Sequence, residues 1–134
     1  MALFCVAGWL YLFSPKRDLE VALGMKRLPG SLTNEKVRVD SRQDYSVVAF
    51  FEIDPGDMRG LLALRTYAEV EAPRNLGLAI GEFRPPLPAS YFPDIPGFEV
   101  KHLYEWQPNT DGFLRCQIWV SEDFSKAYVH YSSD

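Results

Sequence analysis

The stretch FEVKHLYEW, residues 98–106, decides the fold. Phe98, Val100, His102, Tyr104 and Trp106 fall on one side of it, and Glu99, Lys101 and Glu105 on the other, with Leu103 the exception. A repeat of two is the period of a pleated strand. Two similar runs follow. FLRCQIWV, residues 113–120, sets Leu114, Cys116, Ile118 and Val120 against Phe113, Arg115, Gln117 and Trp119. In KAYVHY, residues 126–131, Ala127, Val129 and Tyr131 alternate with Tyr128 and His130. The connections read as turns: 108–112 carries Gly112 where left-handed backbone is wanted, and 121–125 is short and polar. Consecutive hairpins make the three runs neighbours, an antiparallel three-strand meander.

Working towards the amino terminus, Ser14 and Pro15 suit the cap and first position of a helix. Leu19, Ala22 and Leu23 recur at helical spacing, with Met25 beside them, and predict a helix over 14–27 that stops before Pro29 and Gly30. Lys26 and Arg27 are then placed to meet the negative end of its dipole. Residues 36–40 alternate around Val37 and Val39 and predict a short strand, followed by a polar turn at 41–44. In 45–53, Tyr45, Val47, Ala49, Phe51 and Ile53 share one face while Val48 and Phe50 take the other, which predicts a strand covered on both sides. Asp54 then caps a helix, Pro55 takes its first position and Asp57 adds charge to its first turn. Met58, Leu61, Leu62, Arg65 and Ala68 extend that helix to about Val70, with Arg65 snorkelling along its edge. Beyond it, 76–80 reads as one short strand, and 85–96 holds five of the chain's ten prolines. Such a stretch is loop or polyproline-like. The fold class is therefore α+β: a mostly antiparallel sheet of about five strands with two helices packed on one face, forming one domain over 14–134.

Composition bounds the function. The chain has 134 residues, 47% of them hydrophobic and 24% charged, which suits one packed core. A net charge of −4, with no basic run longer than Lys16-Arg17 or Lys26-Arg27, argues against nucleic acid as a partner. Two cysteines, Cys5 and Cys116, are no disulfide framework and read as buried free thiols. Two Cys and two His without close spacing do not make a zinc site, so no metal is expected. Gly77, Gly81 and Gly97 match neither phosphate-loop nor dinucleotide patterns, so no cofactor is expected.

Residues 1–13 contain no charged side chain. As a helix they reach only about 20 Å, against a hydrocarbon layer of about 30 Å. The segment reads as a shortened membrane anchor or as an interfacial element in which Trp9 and Tyr11 favour the headgroup region. The alternative is burial within a soluble core. An anchor followed by Lys16 and Arg17 places the domain on the cytoplasmic side. A soluble cytoplasmic protein is the alternative location.

His102 is the one candidate for chemistry, because it lies in register with apolar side chains and is the residue type that titrates near neutrality. No nucleophile or carboxylate partner can be assigned to it from spacing. Glu99 and Glu105 are about 20 Å apart on their strand, too far to act together. Asp54, Asp57, Asp111, Glu122 and Asp123 each have a capping or turn role. For binding, Arg84, Tyr91 and Phe92 lie in the stiff proline-aromatic segment 83–93, while Tyr104, Trp106 and Trp119 are large strand aromatics able to anchor a contact. These readings point to a small non-catalytic binding or interaction domain, tethered through 1–13 and meeting a protein partner through 83–93. The alternative is a small enzyme using His102 in an aromatic-lined pocket. The sequence assigns no oligomeric state. Membrane fractionation tests the tether: the full chain is expected with membranes and a form beginning at Ser14 in the soluble fraction. A fully soluble full chain together with a misfolded shortened form would place 1–13 in the core.

Overall fold

The computed structural model describes residues 15–40, 45–71, 92, 98–108 and 114–133. Helix α1 spans Pro15–Leu23. Strands β1 (Thr33–Asp40) and β2 (Tyr45–Glu52) follow, then helix α2 (Pro55–Leu62) and the short strand β3 (Ala68–Val70). The carboxy-terminal strands are β4 (Val100–Trp106), β5 (Leu114–Ser121) and β6 (Lys126–Ser133). They make one six-stranded sheet in the order β1-β2-β6-β5-β4-β3, every neighbouring pair antiparallel. The meander is present as β4-β5-β6. The sheet is one strand larger than the sequence count, and the extra strand is β3, cut from what had read as helix.

The sheet buries both faces. On one, Val47, Ala49 and Phe51 of β2, Cys116, Ile118 and Val120 of β5, and Ala127, Val129 and Tyr131 of β6 form a single core with both helices. Leu19, Ala22 and Leu23 come from α1, Met58 and Leu61 from α2. Leu19 and Leu23 are wholly buried, which is worth about 2 kcal/mol for each side chain. On the other face Phe50, Val100, Leu103, Trp119 and Tyr128 make a second cluster, with Val70, Phe92 and Phe98 packed against it. Two covered faces explain why β2, β5 and β6 are nearly continuous apolar runs.

Three local readings are corrected. Helix α1 stops at Leu23, not near Arg27, because Gly24 turns left-handed (φ +69°) and closes the end. The Gly24 amide donates to the Val21 carbonyl (3.2 Å) and the Met25 amide to that of Glu20 (2.9 Å), a Schellman-type stop. Lys26 and Arg27 thus lie beyond the last turn, which carries no basic residue of its own. Helix α2 stops at Leu62, not Val70, and Ala68, Glu69 and Val70 pair instead with Glu105, Tyr104 and Leu103. Helical spacing was met by Arg65 and Ala68, but pairing with β4 overrides it.

The third correction lies in β4. Its register against β5 shifts between Val100 and His102. That irregularity puts Phe98 and Val100 in the second cluster with Leu103, away from the helices, although they alternate with His102 in sequence. His130, on the far face with Tyr128, is half-buried, with Nε2 3.4 Å from the Ser46 hydroxyl.

The start of α2 forms as its sequence dictates. Asp54 has extended backbone (φ −64°, ψ 135°) and its carboxylate accepts from the Gly56 amide at 3.0 Å. The Ser31 hydroxyl donates to Asp57 (2.6 Å) and accepts from the Asp54 amide (3.1 Å), pinning the approach to β1 against this helix start. Among the described residues no helix is long and apolar enough to cross a membrane. Residues 1–13, the 76–80 strand and the 41–44 turn lie outside the described residues.

A glycine comparison tests the stop of α1. A Cβ on Gly24 would meet Arg65 Nε at 2.5 Å, whereas one on exposed Gly30 meets nothing within 4 Å. Gly24→Ala should lower unfolding free energy by about 1–2 kcal/mol from left-handed strain alone, with more from displacing Arg65. Gly30→Ala should stay within about 0.5 kcal/mol of the parent. Urea denaturation of the two variants side by side checks this, and equal effects would contradict it.

Candidate functional site

His102, Tyr104 and Trp106 stand in a row on the helix side of β4, opposite Val120, Ile118 and Cys116 of β5. Helix α1 lies mainly over β1, β2 and β6, so the row is flanked by the helical layer rather than roofed by α1. At its outer edge β3 delivers Glu69 opposite Tyr104. His102 Nδ1 is 2.8 Å from Glu69 Oε1. A carboxylate only accepts, so Nδ1 carries the proton and donates, leaving Nε2 as the free nitrogen. The side chains are 27% exposed for His102 and 54% for Glu69. At that exposure the pair contributes at most about 1 kcal/mol to stability. Its consequence is orientation: the imidazole plane and tautomer are fixed.

The ring is also held from the β5–β6 turn. Phe124 stacks on His102 with centroids 4.7 Å apart and planes 29° apart, and Tyr104 lies on the same imidazole at 6.2 Å. The guanidinium of Arg59, from the last turn of α2, sits over the Phe124 ring at 4.7 Å. Phe124 is placed by an unusual backbone: φ is +63°, a left-handed value for a bulky side chain. Its amide donates to the Ser121 carbonyl (3.1 Å), while the Ser121 hydroxyl accepts from the amides of Ser125 and Lys126. The Asp123 carboxylate accepts from both serine hydroxyls and from the Ser125 amide. Those hydrogen bonds, from Ser125 and then Ser121, hold the Asp123 carboxyl below its usual range. The turn thus enforces a conformation that an L-residue otherwise avoids by about 1–2 kcal/mol.

Burial raises the Tyr104 phenol above its ordinary value; nearby Glu69 adds to the rise and Arg59 opposes it. Tyr104 is therefore a neutral hydroxyl at physiological pH, a donor as well as an acceptor. Together Arg59, Glu69, His102, Tyr104 and Phe124 make a partly exposed cluster of one cation, one carboxylate, one imidazole and two aromatic rings.

The far end of the row is structural. The Arg65 guanidinium lies 3.9 Å from the Trp106 ring and donates to the carbonyls of Ala22 (2.7 Å) and Val21 (3.2 Å). Tyr67 donates to the Cys116 sulfur at 3.7 Å. Burial pushes the Cys116 thiol up to about 11, against the lowering effects of Tyr67 and Arg65. A buried thiol so rarely ionised is inert.

On the opposite sheet face, Phe98 stacks on Tyr128 at 4.8 Å and Trp119 is 3% exposed. The Trp119 Nε1–H is buried with no acceptor among the described residues. His130 is held below its usual value by burial and then by the nearby Arg115 charge. Gln117 donates to Glu105 at 2.8 Å, and Arg115 lies 3.5 Å from the same carboxylate. A shallow depression of about 350 Å³ beside the β5–β6 turn is lined by Glu99, Glu122 and Asp123 among others. Asp123 is used by the turn and Glu99 by Lys101, 2.9 Å away.

The structure thus brings together His102, Tyr104 and Trp106. It places Trp119 on the other face, where it offers a partner almost no surface, and Phe92 half-buried beside the second cluster. Arg84 and Tyr91 lie outside the described residues. Sequence reasoning missed Glu69, because residues 63–70 had been read as helix, and Phe124 and Arg59, because each sits in a segment with an adequate local explanation. No group of three or more His, Cys, Asp or Glu side chains that could hold a metal occurs among the described residues. No family model matches the chain, and no curated protein or solved structure matches it.

Two substitutions test the strain at Phe124. Both Phe124→Gly and Phe124→Ala remove the ring, but only glycine accepts the backbone freely. The glycine variant should be the more stable by about 1 kcal/mol once its extra unfolded-state freedom is set against the relief. Thermal or urea unfolding reads the difference, and an alanine variant as stable as glycine would show that the turn is relaxed.

Proposed function

We propose that this chain is a small non-catalytic binding domain whose ligand site is the cluster of Arg59, Glu69, His102, Tyr104 and Phe124. The observation that carries the reading is Phe124. A bulky residue kept in left-handed backbone, with its ring against an imidazole that a carboxylate already orients, is stability given up for the placement of a side chain. The Tyr104 ring adds apolar area beside the polar groups, a mixture that small-molecule sites use. Within this proposal residues 1–13 tether the domain to a membrane, and Arg84 and Tyr91 of the proline-aromatic segment serve a protein partner.

A second reading, a small enzyme, is favoured by one contact. Glu69 on Nδ1 leaves His102 Nε2 free to take or give a proton, as a general base requires. Against it, no hydroxyl or thiol nucleophile stands within hydrogen-bond distance of His102 among the described residues.

A fragment screen on isotope-labelled full-length protein tests both. The binding reading predicts fragments that shift the His102, Tyr104 and Phe124 ring signals together and are recovered chemically unchanged. Bound fragments returned altered would favour the enzyme. Hits confined to other surfaces, with these three rings silent, would defeat the site itself.

A further inference from the structure

The cluster has more donors than acceptors. Arg59 is exposed, and among the described residues no carboxylate pairs with it; its partner is the face of Phe124. Its guanidinium carries five N–H groups. His102 adds Nε2, which donates in the imidazolium form and accepts in the neutral form. Tyr104 adds a hydroxyl. The sole carboxylate of the cluster is Glu69, and one of its oxygens is already engaged by His102. What Arg59 lacks among the described residues is an anionic acceptor, which its guanidinium would meet with charge-assisted bonds. The His102 ring stacks on Phe124 at 4.7 Å and lies 27° from the plane of Tyr104 at 6.2 Å, which sets apolar ring surface next to those donors.

Resting on the ligand site argued above, we infer that its ligand is an oxyanion, a carboxylate or a phosphate, carried on a flat aromatic body. The oxyanion takes the Arg59 and His102 donors, and the body lies along the Phe124–Tyr104 rings. The chain's net charge of −4 supplies no general attraction for an anion, so selectivity has to come from these local donors.

Four probes of one size separate the outcomes: benzoate, phenyl phosphate, benzyl alcohol and benzylammonium, each titrated into labelled full-length protein with the His102 and Phe124 rings observed. Benzoate or phenyl phosphate should saturate the shifts with an affinity at least about tenfold better than benzyl alcohol, and benzylammonium should leave them unmoved. Which of the two anions binds more tightly says whether the natural group is a carboxylate or a phosphate. Arg59→Gln should weaken the preferred anion by about tenfold, and Arg59→Glu should reverse the order in favour of benzylammonium. Arg59 is exposed, so both variants should keep the parent amide spectrum. Benzyl alcohol or benzylammonium binding as well as the anions overturns the oxyanion assignment and leaves the site standing. So does silence from all four probes while other fragments still move these rings. Silence from both the probes and the fragment screen overturns the site as well.

Discussion

The Arg65 guanidinium is the contact on which the architecture turns. It closes the carbonyl end of α1 at Ala22 and Val21 while lying against Trp106 of β4, with Tyr131 of β6 at 5.9 Å. A cation at a helix carboxyl end is worth about 0.3–1 kcal/mol when exposed and up to about 2 when partly buried. Stacking on the half-buried Trp106 indole adds an amount of similar size. Larger than either is the geometric effect. One side chain from the α2–β3 connection ties the first helix to two strands, and Gly24 lacks a side chain where that guanidinium passes. The cation that completes the α1 dipole thus comes from 43 residues beyond Ala22 rather than from Lys26 or Arg27.

The same anchor reaches the site. Arg65 fixes the segment leading from α2 into β3, and β3 is only three residues long. Its middle residue is Glu69, which orients His102. On the other side of the imidazole, the β5–β6 turn imposes left-handed backbone on Phe124. A histidine on a flat strand is thus set from two directions by elements far apart in sequence. The shift of register at the start of β4 completes the arrangement. It turns Phe98 and Val100 to the far face and leaves His102 at the end of the helix-side row.

Much of the fold was legible in the sequence, because period-two alternation and a strong helix cap depend on neighbouring residues. The alternating faces of β5 and β6 and the Asp54 cap with Pro55 behind it are of that kind. What was illegible depends on distant partners. Nothing local distinguishes Ala68, Glu69 and Val70 as a strand until β4 is beside them, and nothing local ends α1 early except a glycine that helices often tolerate. The irregularity in β4 is invisible to a count of two, although Leu103, the one residue breaking the pattern, was its trace. Of the site, His102, Tyr104 and Trp106 could be read from one strand. Glu69, Arg59 and Phe124 could not, because a pairing across three elements leaves no spacing in the chain.

Native-state hydrogen exchange on the full chain and on Arg65→Leu tests the central claim most directly. If Arg65 couples the helix to the short edge strand, the amides of Gly24 and Met25 at the α1 stop and those of β3 should lose protection together, while β5 and β6 keep theirs. Unchanged protection at the α1 stop, or loss there with β3 unaffected, would contradict the account.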